Sequence, residues 1–193
     1  MFIAANWKMN LNKVLIKKFH DELQNYKFID NITTCIFPPT IYIDFLGDLL
    51  KNLPIDVGGQ YCHEKETGAY TGEVSAISLK DLGCKYIILG HSERREHSNE
   101  DDHYIQKCIL SAIEAGLIPI VCVGESIEDR QNENALQFVE KQINNCLPKQ
   151  IVNFLIAYEP IWSIGTGKVP NNFEIEEMHE HIKKIVFLKT GQQ

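Results

Sequence analysis

The sequence predicts an α/β protein built on a parallel sheet, and three observations carry that reading. Short apolar, β-branched runs alternate with longer segments of helical period. The runs begin about 22 to 34 residues apart, the size of a strand–helix unit. They are apolar nearly throughout, which suits strands covered on both faces. Regular alternation without an interdomain linker leaves two architectures, an open doubly wound sheet or a (β/α)8 barrel. Periodicity alone does not choose between them. Both bind ligands at the carboxyl ends of the strands, so chemistry is sought there.

The expected strands are Phe2–Asn6, Thr33–Phe37, Ile55–Gly59, 84–89, Ile118–Val123 and 152–158. Weaker helical patterns occupy roughly 11–26 and 40–51. A helix over 98–115 is expected from Ser98 and Asp101 as a capping pair, a stripe of Ile105, Cys108, Ile109 and Ala112, and Gly116 as its end. Ser126 with Asp129 opens the next helix, whose stripe is Leu136, Val139 and Ile143. Asn171 or Asn172 opens the last, with Ile175, Met178, Ile182 and Ile185 facing inward.

Composition narrows the function. With 193 residues, 44% of them hydrophobic and 23% charged, the chain reads as one globular domain over 1–193. The 19 Lys and Arg against 26 Asp and Glu give a net charge of -7, which argues against a general nucleic-acid or anionic-membrane binder. A small anionic substrate can still meet a local basic pocket. No run approaches the ~18 apolar residues of a membrane span. Met1-Phe2-Ile3-Ala4-Ala5 is too short for a signal sequence, so a cytoplasmic protein is expected. Cys35, Cys62, Cys84, Cys108, Cys122 and Cys146 are scattered without a CxxC pair, and are expected to be reduced, mostly buried thiols.

Three strand ends carry candidate chemistry. Lys8 follows strand one, where a fixed positive charge suits a phosphate or a developing oxyanion; a solvated loop lysine is the alternative. His91 follows strand four and precedes a helical turn whose dipole disfavours imidazolium, leaving a neutral ring able to donate to a carbonyl. A histidine satisfying local backbone groups is equally open. Glu159 ends strand six, where desolvation raises a carboxylate toward a useful general base; a loop salt bridge is the alternative. Residues 161–170, between Pro160 and Pro170, have the glycines and apolar tip of a lid. They are not a P-loop, because Trp162 and Val169 stand where glycine and Ser or Thr are required. His179 and His181, two apart on a helix, point apart and are read as surface residues rather than metal ligands. Asn99-Glu100-Asp101-Asp102 is read as an acidic helix start.

Five fragments in order resemble the triosephosphate isomerase family along essentially the whole chain: Asn6-Trp7-Lys8-Met9-Asn10, Gly68-Ala69-Tyr70-Thr71-Gly72-Glu73, Leu89-Gly90-His91-Ser92-Glu93-Arg94-Arg95, Cys122-Val123-Gly124-Glu125 and Ala157-Tyr158-Glu159-Pro160-Ile161-Trp162. The resemblance implies the barrel. It also implies a small phosphorylated triose as substrate, no cofactor or metal, and a cytoplasmic place in glycolysis and gluconeogenesis. By it, Glu159 is the base moving a proton between C1 and C2, and His91 is the neutral electrophile. A neutral histidine is itself a feature of that family, so the dipole reading above matches it and is no independent prediction. Lys8, with Asn6 and Trp7 beside it, corresponds to the substrate-binding cation, Gly165 to a lid N–H donor for phosphate, and Glu93 to a group orienting Lys8 or His91. The loop 61–75 corresponds to the contact of a homodimer, its alternative being a flexible surface loop.

The family's barrel has eight units, and about six are expected here. The last two would carry glycine-rich phosphate loops, whose two or three hydrogen bonds are worth about 1.5–3 kcal/mol each. An inactive remnant and a non-enzymatic α/β binding module are the alternative readings.

Overall fold

The computed structural model describes residues 1–191 and contains six parallel strands: β1 (Phe2–Asn6), β2 (Thr33–Phe37), β3 (Ile55–Gly59), β4 (Tyr86–Leu89), β5 (Ile118–Val123) and β6 (Leu155–Tyr158). Between and after them lie α1 (Lys13–Leu23), α2 (Ile43–Leu50), α3 (Ala76–Asp81), α4 (Ser92–His97), α5 (Asp102–Glu114), α6 (Ile127–Gln131), α7 (Ala135–Cys146) and α8 (Asn172–Thr190). The strand order is β1-β2-β3-β4-β5-β6, the chain order itself. Doubly wound sheets reverse direction at a switch point, whereas barrels add each strand beside the last. The order therefore selects the barrel architecture, with six strand–helix units.

Two compact units divide the chain, one of Met1–Ile88 with Ser111–Pro119, the other of Leu89–Leu110 with Ile120 onward. In the first, β1 pairs with β2 from Phe2 opposite Thr33 to Asn6 opposite Phe37. Its core is Ile16 from α1, Ile36 and Phe37 from β2, Ile43 and Leu46 from α2, and Leu79 from α3, all buried. Gly58 on β3 makes room for this packing, since a Cβ there would fall 2.3 Å from the Phe37 ring. In the second unit, β5 pairs with β6 from Ile120 opposite Leu155 to Val123 opposite Tyr158. Val139 and Ile143 of α7 and Met178 of α8 are fully buried there.

Local signals explain the boundaries and several departures. Ser126 and Asp129 form a reciprocal capping box, as do Asn171 and Glu174. The helix expected over 98–115 starts later, as α5 at Asp102; residues 98–101 separate it from α4, with Asn99 left-handed at φ 53°. Ser98 closes α4, and the Asp101 carboxylate caps α5 through the Tyr104 N–H at 2.7 Å. Glu100 is not a dipole partner: it is buried against Arg94 at 2.6 Å. Strand four starts at Tyr86, because the Cys84 N–H is used closing α3 onto the Leu79 carbonyl. Strand six starts at Leu155, after Asn153 at φ 56°.

Coverage of both faces holds for β4 and β5 but not for β1 and β6. None of the β6 residues is fully buried, and Ile3 on β1 is 45% exposed. These two strands stand at the ends of the sheet order, so their apolar runs are only half covered.

All six cysteines are buried thiols outside any disulfide. Burial pushes the Cys84 thiol up to about 11, despite the charge of Lys80. The native protein should therefore show no rapidly reacting thiol toward an aromatic disulfide reagent near pH 8, and the full set once denatured. A fast native thiol would contradict the burial.

Candidate active site

In the second unit, two strand ends bring a histidine and a carboxylate into contact. Gly90, at φ 72°, turns the chain out of β4, and His91 then caps α4. Its Nδ1 accepts the Glu93 N–H at 3.2 Å, which leaves Nε2 as the ring's N–H donor. Nε2 lies 3.3 Å from Glu159 Oε2, and the two side chains keep only 12% and 16% of their surface. The other carboxylate oxygen, Oε1, accepts the Ser92 N–H at 2.7 Å, an amide left without a partner inside α4. His91 thus satisfies backbone with one nitrogen and faces Glu159 with the other.

The end of β5 fixes the peptide of Glu159. The Glu159 N–H donates to Val123 at 2.9 Å, and the Ile161 N–H donates to the Glu125 carbonyl at 3.1 Å. Between these bonds, a Cβ on Gly124 would sit 1.8 Å from the Glu159 carbonyl oxygen, so only glycine fits. The Gly124 N–H donates to Oε1 of buried Gln142, from α7, at 3.0 Å.

Glu125 is fully buried, and its Oε1 accepts the Tyr158 hydroxyl at 3.0 Å and the Trp162 indole N–H at 2.8 Å. Arg130 Nε stands 3.3 Å away, without hydrogen-bond alignment, and offsets the charge. Burial, then the Glu125 charge and hydrogen bond, push the Tyr158 phenol well above its usual value, keeping it a donor. Glu125 thereby ties the first turn of the 161–170 segment to β5. The tip of that segment is exposed, with Gly165 at φ 70° and Gly167 at φ 76°.

Behind the strand ends, Arg95 Nε donates to the Gly90 carbonyl at 2.8 Å and its NH1 to Asp102 at 2.7 Å. The Cys146 thiol donates to the same Asp102 oxygen at 3.0 Å. Burial alone would raise the Asp102 carboxyl, but the bonds from Cys146, Arg95 and Asn145, with the Arg95 charge, hold it below its usual value.

Lys8 lies in the first unit. Its backbone is left-handed at φ 51°, a conformation costing a non-glycine residue about 1–3 kcal/mol. Two bonds hold it there: its N–H donates to Asn6 Oδ1 at 2.9 Å, and its carbonyl accepts Gln60 Nε2 at 2.9 Å. The Trp7 indole packs edge-on against Phe19 of α1, ring centres 5.3 Å apart. The 61–75 loop is closed at its base by the His63 N–H to Val74 at 2.8 Å, and its Tyr70 packs on the His63 ring, 4.3 Å between centres.

The structure unites His91 and Glu159, with Ser92 and Glu93 around them. The Glu93 carboxylate is 3.9 Å from His91 Nδ1. Gln60, Arg95, Gly124, Glu125 and Gln142 gained no role from sequence. Arg95, Gly124 and Glu125 were visible only inside their motifs, and a glutamine on a polar helix carries no signal. Among the described residues, no group of three or more His, Cys, Asp and Glu could hold a metal ion, and no helix is long and apolar enough to cross a membrane.

Sequential parallel strands with an imidazole and a carboxylate meeting at their carboxyl ends define a β/α-barrel protein equipped for proton transfer. Comparison with known proteins gives the particular family. A family profile described as triosephosphate isomerase matches residues 1–193. The chain is similar to the triosephosphate isomerase of Wolbachia pipientis, 46% identical over 94% of this chain and 72% of that protein. Its similarity to that of Saccharomyces cerevisiae is 37% over the whole chain and 78% of the relative. For Finegoldia magna the identity is 41%, over 95% and 75%. The chain belongs to the triosephosphate isomerase family and spans about three quarters of these relatives.

The Asp102 carboxyl binds its proton less readily folded than unfolded, so it favours folding fully above its unfolded value near pH 4 and loses that contribution as pH falls through the lower folded value. Stability measured from pH 2 to 6 should fall less steeply below about pH 4 in Asp102→Asn than in wild type. Parallel acid limbs would contradict the network.

Proposed function

We propose that this chain interconverts D-glyceraldehyde 3-phosphate and dihydroxyacetone phosphate through an enediolate, with Glu159 as base, His91 as electrophile and Lys8 as substrate-binding cation. The observation that carries the reading is the 3.3 Å approach of His91 Nε2 to Glu159 Oε2. A carboxylate base and an N–H donor beside it are what a 1,2-proton shift needs. One takes the carbon proton while the other meets the oxygen on which charge develops.

Starting from dihydroxyacetone phosphate, the carbonyl oxygen takes the Nε2 proton donor, freeing Glu159 from His91. Glu159 removes a proton from C1, the C–H electrons form the C1=C2 bond, and the carbonyl pair moves onto the C2 oxygen as an oxyanion. His91 moves a proton between the two enediolate oxygens. Glu159 returns its proton to C2, which yields the aldehyde with no net gain or loss of atoms or electrons. Lys8 supplies positive charge to the phosphate and enediolate, with Asn6 fixing its backbone and Trp7 its loop. Glu93 holds the ring orientation of His91. Gly165, at the exposed tip, provides an N–H to phosphate when residues 161–170 close and exclude water. The reading includes a homodimer formed through the 61–75 loop and a cytoplasmic setting in glycolysis and gluconeogenesis.

The test is isomerisation of glyceraldehyde 3-phosphate by the purified chain against Glu159→Ala prepared identically, which controls for host isomerase. Glu159→Ala should lower kcat by about 10²- to 10⁴-fold. Lys8→Met should lower kcat/KM by about 10²-fold or more through lost charge stabilisation. Equal rates for wild type and Glu159→Ala would overturn the reading.

A further inference from the structure

We propose that Gln142 is a positioning residue for Glu159, acting through the backbone of Gly124; the inference rests on the reading of Glu159 as the base. Gln142 sits on the buried face of α7, among Val139, Ile143 and Cys146. A glutamine there keeps only 6% of its surface, and burying an amide is costly unless it is bonded. Its Oε1 accepts the Gly124 N–H at 3.0 Å, just past the last residue of β5. Without that acceptor, the amide would be an orphaned donor in a buried setting.

What makes this amide matter is its neighbour. Gly124 lies so close to Glu159 that a Cβ would fall 1.8 Å from its carbonyl oxygen and 2.7 Å from its carbonyl carbon. No slack separates the two peptides, so a shift of Gly124 is passed to Glu159. The flanking bonds, Glu159 N–H to Val123 and Ile161 N–H to Glu125, transmit the same displacement. At the far end, the carboxylate rests on the Ser92 N–H at 2.7 Å, a contact that reports where the base is. Gln142 touches no reacting group. It sets the backbone from which the base projects.

The test combines amide hydrogen exchange at Gly124 and Ser92, read by NMR, with isomerase kinetics. In Gln142→Leu both amides should exchange about tenfold faster or more, and kcat should fall about tenfold with KM little changed. Gln142→Glu keeps an acceptor oxygen and should restore both readouts to near wild type. Should Gln142→Leu not fold, Gln142→Met, unbranched and of similar length, takes its place with the same expectations. Faster exchange at Gly124 with Ser92 exchange and kcat unchanged would overturn the role, leaving Gln142 a partner for one amide and nothing more. Failure of Gln142→Glu to rescue would overturn it as well. A wild-type rate no higher than that of Glu159→Ala would instead overturn the reading of Glu159 as the base, on which this role depends.

Discussion

The contact between His91 and Glu159 sets the demands that the second unit meets. Two polar side chains with most of their surface removed from water must be fully bonded or they cost several kcal/mol. Each is bonded, and both bonds come from the first turn of α4. Glu93 returns its N–H to Nδ1, which leaves Nε2 as the donor side, while Ser92 gives its N–H to the carboxylate. The tautomer and the carboxylate orientation are therefore consequences of how β4 runs into α4. Glycine at 90 makes that turn possible, and Arg95 ties the Gly90 carbonyl in place from behind.

A second constraint joins this contact to the segment that follows it. Glu125 is a buried carboxylate, expensive unless several partners share the charge. Tyr158 precedes Glu159 and Trp162 opens the 161–170 segment, and both donate to one Glu125 oxygen. Glu159 is thus bracketed in sequence by two donors to the same acceptor. Any movement of 161–170 that carries Trp162 with it must break or remake a hydrogen bond to a buried charge. Such a bond favours two discrete arrangements over a continuous range. The exposed glycines at 165 and 167 supply the freedom at the tip that the hydrogen-bonded first turn lacks.

The strands were legible because covered strands impose mostly apolar residues, and β1, β2, β3 and β5 appear where the pattern puts them. Capping chemistry at Ser126 and Asn171 was equally plain, since a cap uses particular side chains at fixed spacing. Breaks that depend on one left-handed non-glycine residue, as at Asn99 and Asn153, left no pattern to read. The half-covered state of β1 and β6 was hidden for another reason: apolar composition records what a strand can bury, not what lies against it. In the site, His91 and Glu159 stood out as chemistry-bearing residues directly after strands. Gln142 and Arg95 did not, because each is bonded to a backbone group of a strand-end glycine, and composition carries no trace of such a bond.

In the proposed reaction, hydrogen moves between C1 and C2 as a proton, by way of the Glu159 carboxylate. Conversion of dihydroxyacetone phosphate in deuterium oxide tests it most directly, with the hydrogen isotope at C2 of the glyceraldehyde 3-phosphate product read by NMR. A carboxylic acid formed on Glu159 exchanges with solvent, so deuterium at C2 is predicted, appearing at a rate that collapses in Glu159→Ala. Deuterated product formed by Glu159→Ala as fast as by wild type would mean that another group carries the proton, and would contradict that role.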